Sequence, residues 1–385
     1  MKPQTHLWIE PVVLTDGQAT ISATIEGVNR QPRQLWYRVP QTCQSWLTQS
    51  ADPFVVATVM QAMIRKTDLV VHGEVSPSLL RNLEVFQSIW SSWEPRRYSR
   101  IGIHADVERE ADSDIPSLER SQRAIAAFSG GVDACFTVLH HRTELAGRLK
   151  QPLQAGLMVH GFDIPLEDTP GFEQAVVKSR VILSSRNVDL IPMATNFRQV
   201  LQTPWEDGFG AAIASCLMLL QRRFSAGLIG SSYAYSDLIF PCGSTPLTDP
   251  LLSNQAFSCV HDGAQFTRLE KLQALLAWDE AMQYLRVCWQ GKQRDRNCGQ
   301  CEKCVRNLLL FMILGVRKPA CFSQTLKPQQ IVGVRVRGRQ LKILQAVLKQ
   351  AQQQGIGSHY VQALKLCILK NQIIEATRSV VKPTV

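Results

Sequence analysis

Four cysteines fall within 17 residues, spaced Cys288-x9-Cys298-x2-Cys301-x2-Cys304. Two successive C-x-x-C steps put thiolates on one tight knuckle, and the upstream sulfur completes a tetrahedron around a zinc ion. Gly299 permits the backbone turn, and Arg294, Arg296, Lys303 and Arg306 are placed to offset the charge of four thiolates. A closed four-thiolate site has no open coordination position, so its expected role is structural. An iron–sulfur cluster is the rival occupant. The other seven cysteines are scattered, several in apolar patterns where a thiol acts as a small hydrophobe. One tight cluster in an enzyme-sized chain reads as metal binding in a reducing compartment, not as a disulfide framework.

The second chemical signal is Phe128-Ser129-Gly130-Gly131-Val132-Asp133, which follows an apolar run and opens a helical pattern. Paired glycines let the backbone approach a phosphate without a Cβ in the way. The helix start beyond them offers unpaired N–H groups and a positive dipole end to an anion. Asp133 is suited to holding a magnesium ion that bridges the phosphates.

This loop resembles the SGGxDS/T signature of the PP-loop ATP pyrophosphatases, which include asparagine synthetase, GMP synthetase, tRNA thiolases and 7-cyano-7-deazaguanine synthase. The cysteine spacing, placed after such a loop and followed by Arg306, resembles the zinc motif of the 7-cyano-7-deazaguanine synthase family. The resemblance covers roughly residues 121–315. It implies an ATP-dependent enzyme that adenylates a purine-like carboxylate, releases pyrophosphate and passes the acyl group to an amine. Zinc, magnesium and ATP are the implied cofactors. Ala134 departs from the pattern, because the family carries Ser or Thr there and its hydroxyl contacts phosphate. A nucleotide-binding scaffold without turnover is therefore a competing expectation.

Further site residues follow from the resemblance. His160, Phe162 and Asp163 stand where the fold holds adenine and ribose, with Phe162 stacking on the base. Gly230, Ser231 and Asp237 match a loop that reads the deazapurine, with Asp237 accepting its N–H donors. Lys271 matches the lysine near the ATP phosphates, and Arg268 joins the substrate side. Asp133, Asp237 and Lys271 form the implied catalytic set. Glu206 and Asp207 precede a helix, a magnesium-side position or simply one favoured by the helix dipole.

Strands and helices must position these groups. After residue 120 the rhythm is strand–helix alternation, with strands at 123–128, 154–160, 188–194 and 226–231 and helices at 133–147, 171–186 and 208–222. That is the signature of a parallel α/β sheet, and the resemblance makes it Rossmann-like, of the adenine nucleotide alpha hydrolase type. Upstream, 7–14 and 19–25 read as a hairpin around Asp16-Gly17, followed by a strand at 35–39, helices at 53–65 and 78–94 and short strands at 69–72 and 100–104. Residues 105–120 are acidic and Pro-containing, a linker pattern. Helices are expected at 305–315, 340–352 and 360–376. The expected divisions are an N-terminal α+β domain (1–120), a PP-loop domain (121–285), a zinc segment (286–320) and a basic helical extension (321–385).

Charged residues make up 19% of the chain and hydrophobic ones 45%, which excludes a disordered chain. No apolar run reaches the roughly 18 residues of a membrane span, and the start lacks a signal-like core, so a soluble, cytoplasmic protein is expected. Of the net +10, residues 286–385 hold 18 Lys and Arg against three acids, leaving −5 for the first 285. A basic C-terminal quarter suits an acidic partner. That opens tRNA modification as an alternative activity. Enlarged relatives of the synthase occur in anti-phage operons, and this likeness implies a protein amine as a possible acceptor, with antiviral defence as its setting.

Overall fold

The computed structural model describes residues 3–27, 31–112, 123–291 and 293–381. The chain forms two compact units, Met1–Ser129 with Asp133–Arg268, and Gly130–Val132 with Leu269–Val385.

The first unit opens with the expected hairpin. β1 (Gln4–Thr15) and β2 (Gln18–Gly27) are antiparallel, and Asp16 and Gly17 both take positive φ, as a tight two-residue hairpin turn demands. β3 (Arg33–Pro40) pairs antiparallel with β2. Helix α1 (Asp52–Arg65) is apolar on all sides and buried from Asp52 to Met63, so it is a core helix and not a surface one. β4 (Asp68–Val75) lies parallel to β1, then α2 (Pro77–Trp93) leads to β5 (Ile103–Glu108), parallel to β4.

The alternating half follows: β6 (Ala124–Ala127), α3 (Val132–Arg142), β7 (Leu153–His160), α4 (Thr169–Ser184), β8 (Asp189–Thr195), α5 (Phe197–Val200), α6 (Trp205–Met218), β9 (Ala226–Gly230) and β10 (Ser258–Asp262). All ten strands join one mixed, mostly parallel sheet in the order β10-β9-β6-β7-β8-β3-β2-β1-β4-β5. Counted from β6, the parallel part runs 3-2-1-4-5, so the winding direction reverses between β6 and β9.

Two expectations change here. The expected boundary at residue 120 does not separate compact units, because Tyr37 and Arg38 of β3 pair with Thr195 and Ala194 of β8 and carry the sheet across it. A buried polar seam adds to that join. Asn254 Nδ2 donates to Asp52 (2.6 Å) and Gln221 (2.9 Å), and Gln221 donates to Thr48 (3.0 Å). Groups this deep must find partners, so they fix the two halves in one register. The linker pattern at 105–120 also begins within β5; its polarity is that of an edge strand exposed on most positions, and residues 113–120 lie outside the described residues.

The second unit contains α7 (Arg268–Leu275, from its second residue), α8 (Asp279–Tyr284), the cysteine segment, α9 (Glu302–Ile313), α10 (Pro328–Gly333), α11 (Arg339–Gln353) and α12 (Ser358–Val381). The cysteine segment and the basic extension thus belong to one compact unit, not to divisions meeting at residue 320. α11 buries Leu341, Leu344, Val347 and Ala351, one helical stripe. Asn371 of α12 accepts from Val336 N–H (2.9 Å) and donates to Val334 O (3.0 Å), which satisfies an otherwise irregular strand-like stretch. Among the described residues no helix is long and apolar enough to cross a membrane.

Candidate nucleotide and metal sites

The glycine loop stands at the carboxyl end of β6. Phe128 is buried, and its N–H donates to Leu157 O of β7 (2.8 Å), so the strand is pinned up to the loop. Gly130 has φ +72°, a left-handed conformation that a side chain would strain. Gly131 follows, and Val132 begins α3, whose first turn offers N–H groups with no intrahelical acceptor. Asp133 lies in that turn, and Arg268 Nη1 donates to its Oδ2 at 2.6 Å. Both side chains are about a quarter exposed, within reach of solvent and ligand (23% and 22%). Gly230, expected on the substrate side, instead allows close packing: a Cβ there would lie 2.9 Å from Asp133 O and 3.0 Å from Thr137 Oγ1. Ser231 is fully buried, its N–H donating to Asp262 O (2.8 Å).

Other expected residues are placed differently. His160 Nε2 bonds Pro165 O (2.8 Å) and its ring stacks on Phe172, so it fastens the turn at 161–165, and burial pushes its pKa below the usual value. Phe162 is not an open platform for a base: its ring packs against Phe197 and Trp205 in the core, where it removes more apolar surface from water. Gly161, at φ +100°, brings the chain so close to Thr195 O that a Cβ would sit 2.0 Å from it. Asp163 is half-buried within this turn. Asp237 is exposed on a short 3-10 turn, Tyr235–Asp237, and not enclosed in a pocket. Lys271 is buried on α7 in the second unit. Asp207 accepts from Arg97 (2.7 Å) and Tyr98 (2.8 Å), a structural use in place of a magnesium-side one.

In the second unit the Sγ atoms of Cys288, Cys298, Cys301 and Cys304 all lie within 4.8 Å of one another. Zn–S bonds of about 2.3 Å at tetrahedral angles give sulfur–sulfur edges of about 3.8 Å, and Cys298 and Cys304 are 3.7 Å apart. An iron–sulfur cube would hold its cysteine sulfurs further apart, because the whole cluster lies between them. The four thiols therefore fit one tetrahedral ion such as zinc. Backbone N–H groups of Cys298, Gln300 and Cys301 point at the sulfurs (3.3, 3.5 and 3.4 Å), as donors to thiolates do. Gly299 has φ +73°, and Cys301 caps α9. Lys303 lies on the Trp289 ring and Arg306 pairs with Glu302 (3.2 Å).

No family model, curated protein or solved structure matches the chain.

Several residues that hold these sites gave little sign of it in the sequence. Asn297 accepts from Val287 N–H and donates to Leu285 O and Cys321 O, all within 3.0 Å, and so seats the start of the cysteine segment. Asp262, at the end of β10, accepts from Thr137 Oγ1 (2.7 Å) on α3, with His140 Nδ1 at 2.9 Å and His141 Nε2 at 3.1 Å. These three side chains could suggest a second metal. Gln151 N–H, however, donates to His141 Nδ1 (2.9 Å), which puts the neutral ring's proton on Nε2, facing Asp262. That nitrogen is a donor with no lone pair for a metal, so the cluster is a hydrogen-bonded clamp on α3. The adjacent histidines were the one available signal.

Burial alone would raise the Asp262 pKa, but the bonds from His140 and His141 outweigh it and hold it well below the usual carboxylate range. A depressed folded pKa means stability present above the unfolded value near 3.9 and lost as pH falls toward the folded one. Asp262→Asn is expected to cost about 3 kcal/mol in urea unfolding at neutral pH and to flatten the acid limb of stability against pH.

Asp249 gathers Ser244 Oγ (2.6 Å) and His261 Nδ1 (2.7 Å) on one oxygen. The hydroxyl is on the carboxylate instead of the far imidazole nitrogen, so this is not an acyl-transfer triad.

Proposed function

We propose that the chain is an ATP-consuming enzyme of the PP-loop kind, similar to 7-cyano-7-deazaguanine synthase, acting on a purine-like carboxylate. The observation that carries this reading is the position of the glycine loop. It follows β6 and opens α3 where the strand order reverses, the place where Rossmann-like sheets, the adenine nucleotide alpha hydrolase type included, bind phosphates. The cysteine cluster is the second support, since four sulfurs within 4.8 Å of one another suit a zinc ion.

In this reading Mg·ATP and the carboxylic acid are the substrates. A carboxylate oxygen attacks the α-phosphorus of ATP, and the bond to the β-phosphate oxygen breaks, releasing pyrophosphate. An amine nitrogen then attacks the acyl carbon, the bond to AMP breaks, and the nitrogen loses a proton to give the amide. The first turn of α3 receives phosphate oxygens. Arg268, held by Asp133, places cationic charge there as negative charge builds on the leaving group. The pair with Arg268 uses only Oδ2 of Asp133, so in this reading the carboxylate would hold magnesium and Arg268 side by side, with Arg268 as the direct phosphate partner. In this reading Asp163, half-buried, and Asp237, exposed, are the further side chains of the first unit open to substrate.

The test is incubation of the protein with Mg·ATP and 7-carboxy-7-deazaguanine, with and without ammonia, following AMP by mass spectrometry. AMP formed only when the carboxylate is present supports the reading, and addition of ammonia then separates free ammonia from a protein amine as acceptor. ADP removes it, and no product from a protein that binds ATP removes it and favours the scaffold. The balance of +15 over residues 286–385 favours one second reading, tRNA modification. It calls for tRNA binding whose affinity falls steeply with salt, and tRNA left unbound at moderate salt would dismiss it.

A further inference from the structure

Away from the glycine loop, the first unit contains a half-open cleft of about 1150 Å³. Its origin is a fork in the sheet. Parallel pairing of β1 with β4 runs from Gln4 opposite Asp68 to Trp8 opposite His72 and stops there. Beyond that point β1 bulges between Glu10 and Val13, with Pro11 inside the bulge and lacking an N–H. At the same level β4 slips its register against β5 between Val71 and Glu74. Irregularities on adjacent strands open a gap that a regular sheet would close, and the residues of the fork line it.

The cleft joins an apolar floor to a charged rim. Ile9, Val12, Ile21 and Leu47 supply the floor. On the rim the carboxylates of Glu10, Glu74, Glu110 and Asp112 outnumber the guanidiniums of Arg109 and Arg222. Arg109 pairs with Glu74 (3.1 Å) and Arg222 with Asp112 (3.6 Å). Glu10 accepts from the Thr24 hydroxyl (2.9 Å), and Glu110 accepts from Ser78 N–H (3.1 Å) and Oγ (2.6 Å). Those uncharged donors fix the last two carboxylates without cancelling their charge. Each keeps acceptor capacity, since an ionised carboxylate offers about four lone-pair sites.

We propose that this cleft binds an alkylammonium group carried on an apolar stem, the ammonium taken by the rim carboxylates and the stem laid on the floor. The volume is at or above the roughly 300–1,000 Å³ of small-molecule pockets. It therefore admits either a polyamine or a lysine-bearing stretch of polypeptide, two sources of the same chemistry. The inference does not depend on the nucleotide reading, since neither the loop nor α3 lines the cleft.

Calorimetric titration of the full-length protein tests it with three probes: spermidine, the capped peptide Val-Lys-Val-Lys-Val, and the same peptide with both lysines acetylated. One or both ammonium probes are expected to bind with submillimolar affinity, and the acetylated peptide is not. Peptide binding without spermidine identifies a polypeptide source, and the reverse a polyamine. The double variant Glu10→Gln/Glu110→Gln keeps the acceptors for Thr24 and Ser78 and should weaken binding about tenfold. Gln49→Trp, at an exposed lining position, should weaken it by obstructing part of the cleft. Equal binding of the acetylated peptide, unchanged binding by both variants, or no binding of any probe would overturn the proposal.

Discussion

Cys301→Ser is expected to leave the protein without its metal and with the second unit no longer cooperatively folded. Purified wild type should contain one zinc per chain by elemental analysis, and the variant far less than one. Apparent binding energies of structural zinc are about 10–16 kcal/mol in isolated zinc modules. Whole domains are stable by only about 5–15 kcal/mol. The metal's contribution is therefore as large as a whole domain's net stability, and the burial of Leu308, Leu309 and Phe311 in α9 is not enough to replace it. Limited proteolysis should cut the variant, or wild type treated with a strong chelator, first within residues 286–320. A Cys301→Ser protein that keeps stoichiometric zinc and wild-type melting would show that the sulfurs lie close for some reason other than metal binding.

The second large effect concerns Ala134 and Arg268. In the proposed reading Ala134 lacks the hydroxyl that would bond a phosphate, and Arg268, fixed to Asp133 at 2.6 Å, supplies the missing donor. Arg268→Ala is expected to weaken Mg·ATP binding about 30-fold to 100-fold, the scale of a charge-assisted contact worth roughly 2–3 kcal/mol. Ala134→Ser alone should change affinity little. In the Arg268→Ala background it should recover part of the loss, a coupling that a double-mutant cycle reads directly. If wild type binds no nucleotide, the nucleotide reading itself fails. If wild type binds and the two substitutions act additively, only the compensation fails. Asp133→Asn distinguishes positioning from magnesium ligation: the former predicts weaker binding of ATP with or without magnesium, the latter a loss confined to Mg·ATP.

What the sequence determined alone was whatever is encoded in short-range spacing. The 3.6 and 2.0 periodicities placed most strands and helices within a few residues, because they record which face of each element is buried. Asp16-Gly17 specified its hairpin turn, and Gly130-Gly131 specified a loop that needs a left-handed backbone, since few other residues accept that geometry. The cysteine spacing specified a tetrahedral pocket, because two C-x-x-C steps within one turn leave the sulfurs few other places to go.

The tertiary structure decided everything that depends on residues far apart in the chain. That the first 108 residues join the same sheet follows from β3 meeting β8, a pairing about 157 residues apart in sequence that no local pattern signals. Phe162 is core because Phe197 and Trp205 pack on its ring, and His160 fastens a turn because Pro165 offers its Nε2 a carbonyl. Asp133 meets Arg268, and Asp262 two histidines of α3, because the strand order brings distant segments together. A side chain's type states which bonds it can make, but which partner it meets is settled by packing. The clamp on α3 and the forked cleft were therefore invisible until the sheet had closed around them.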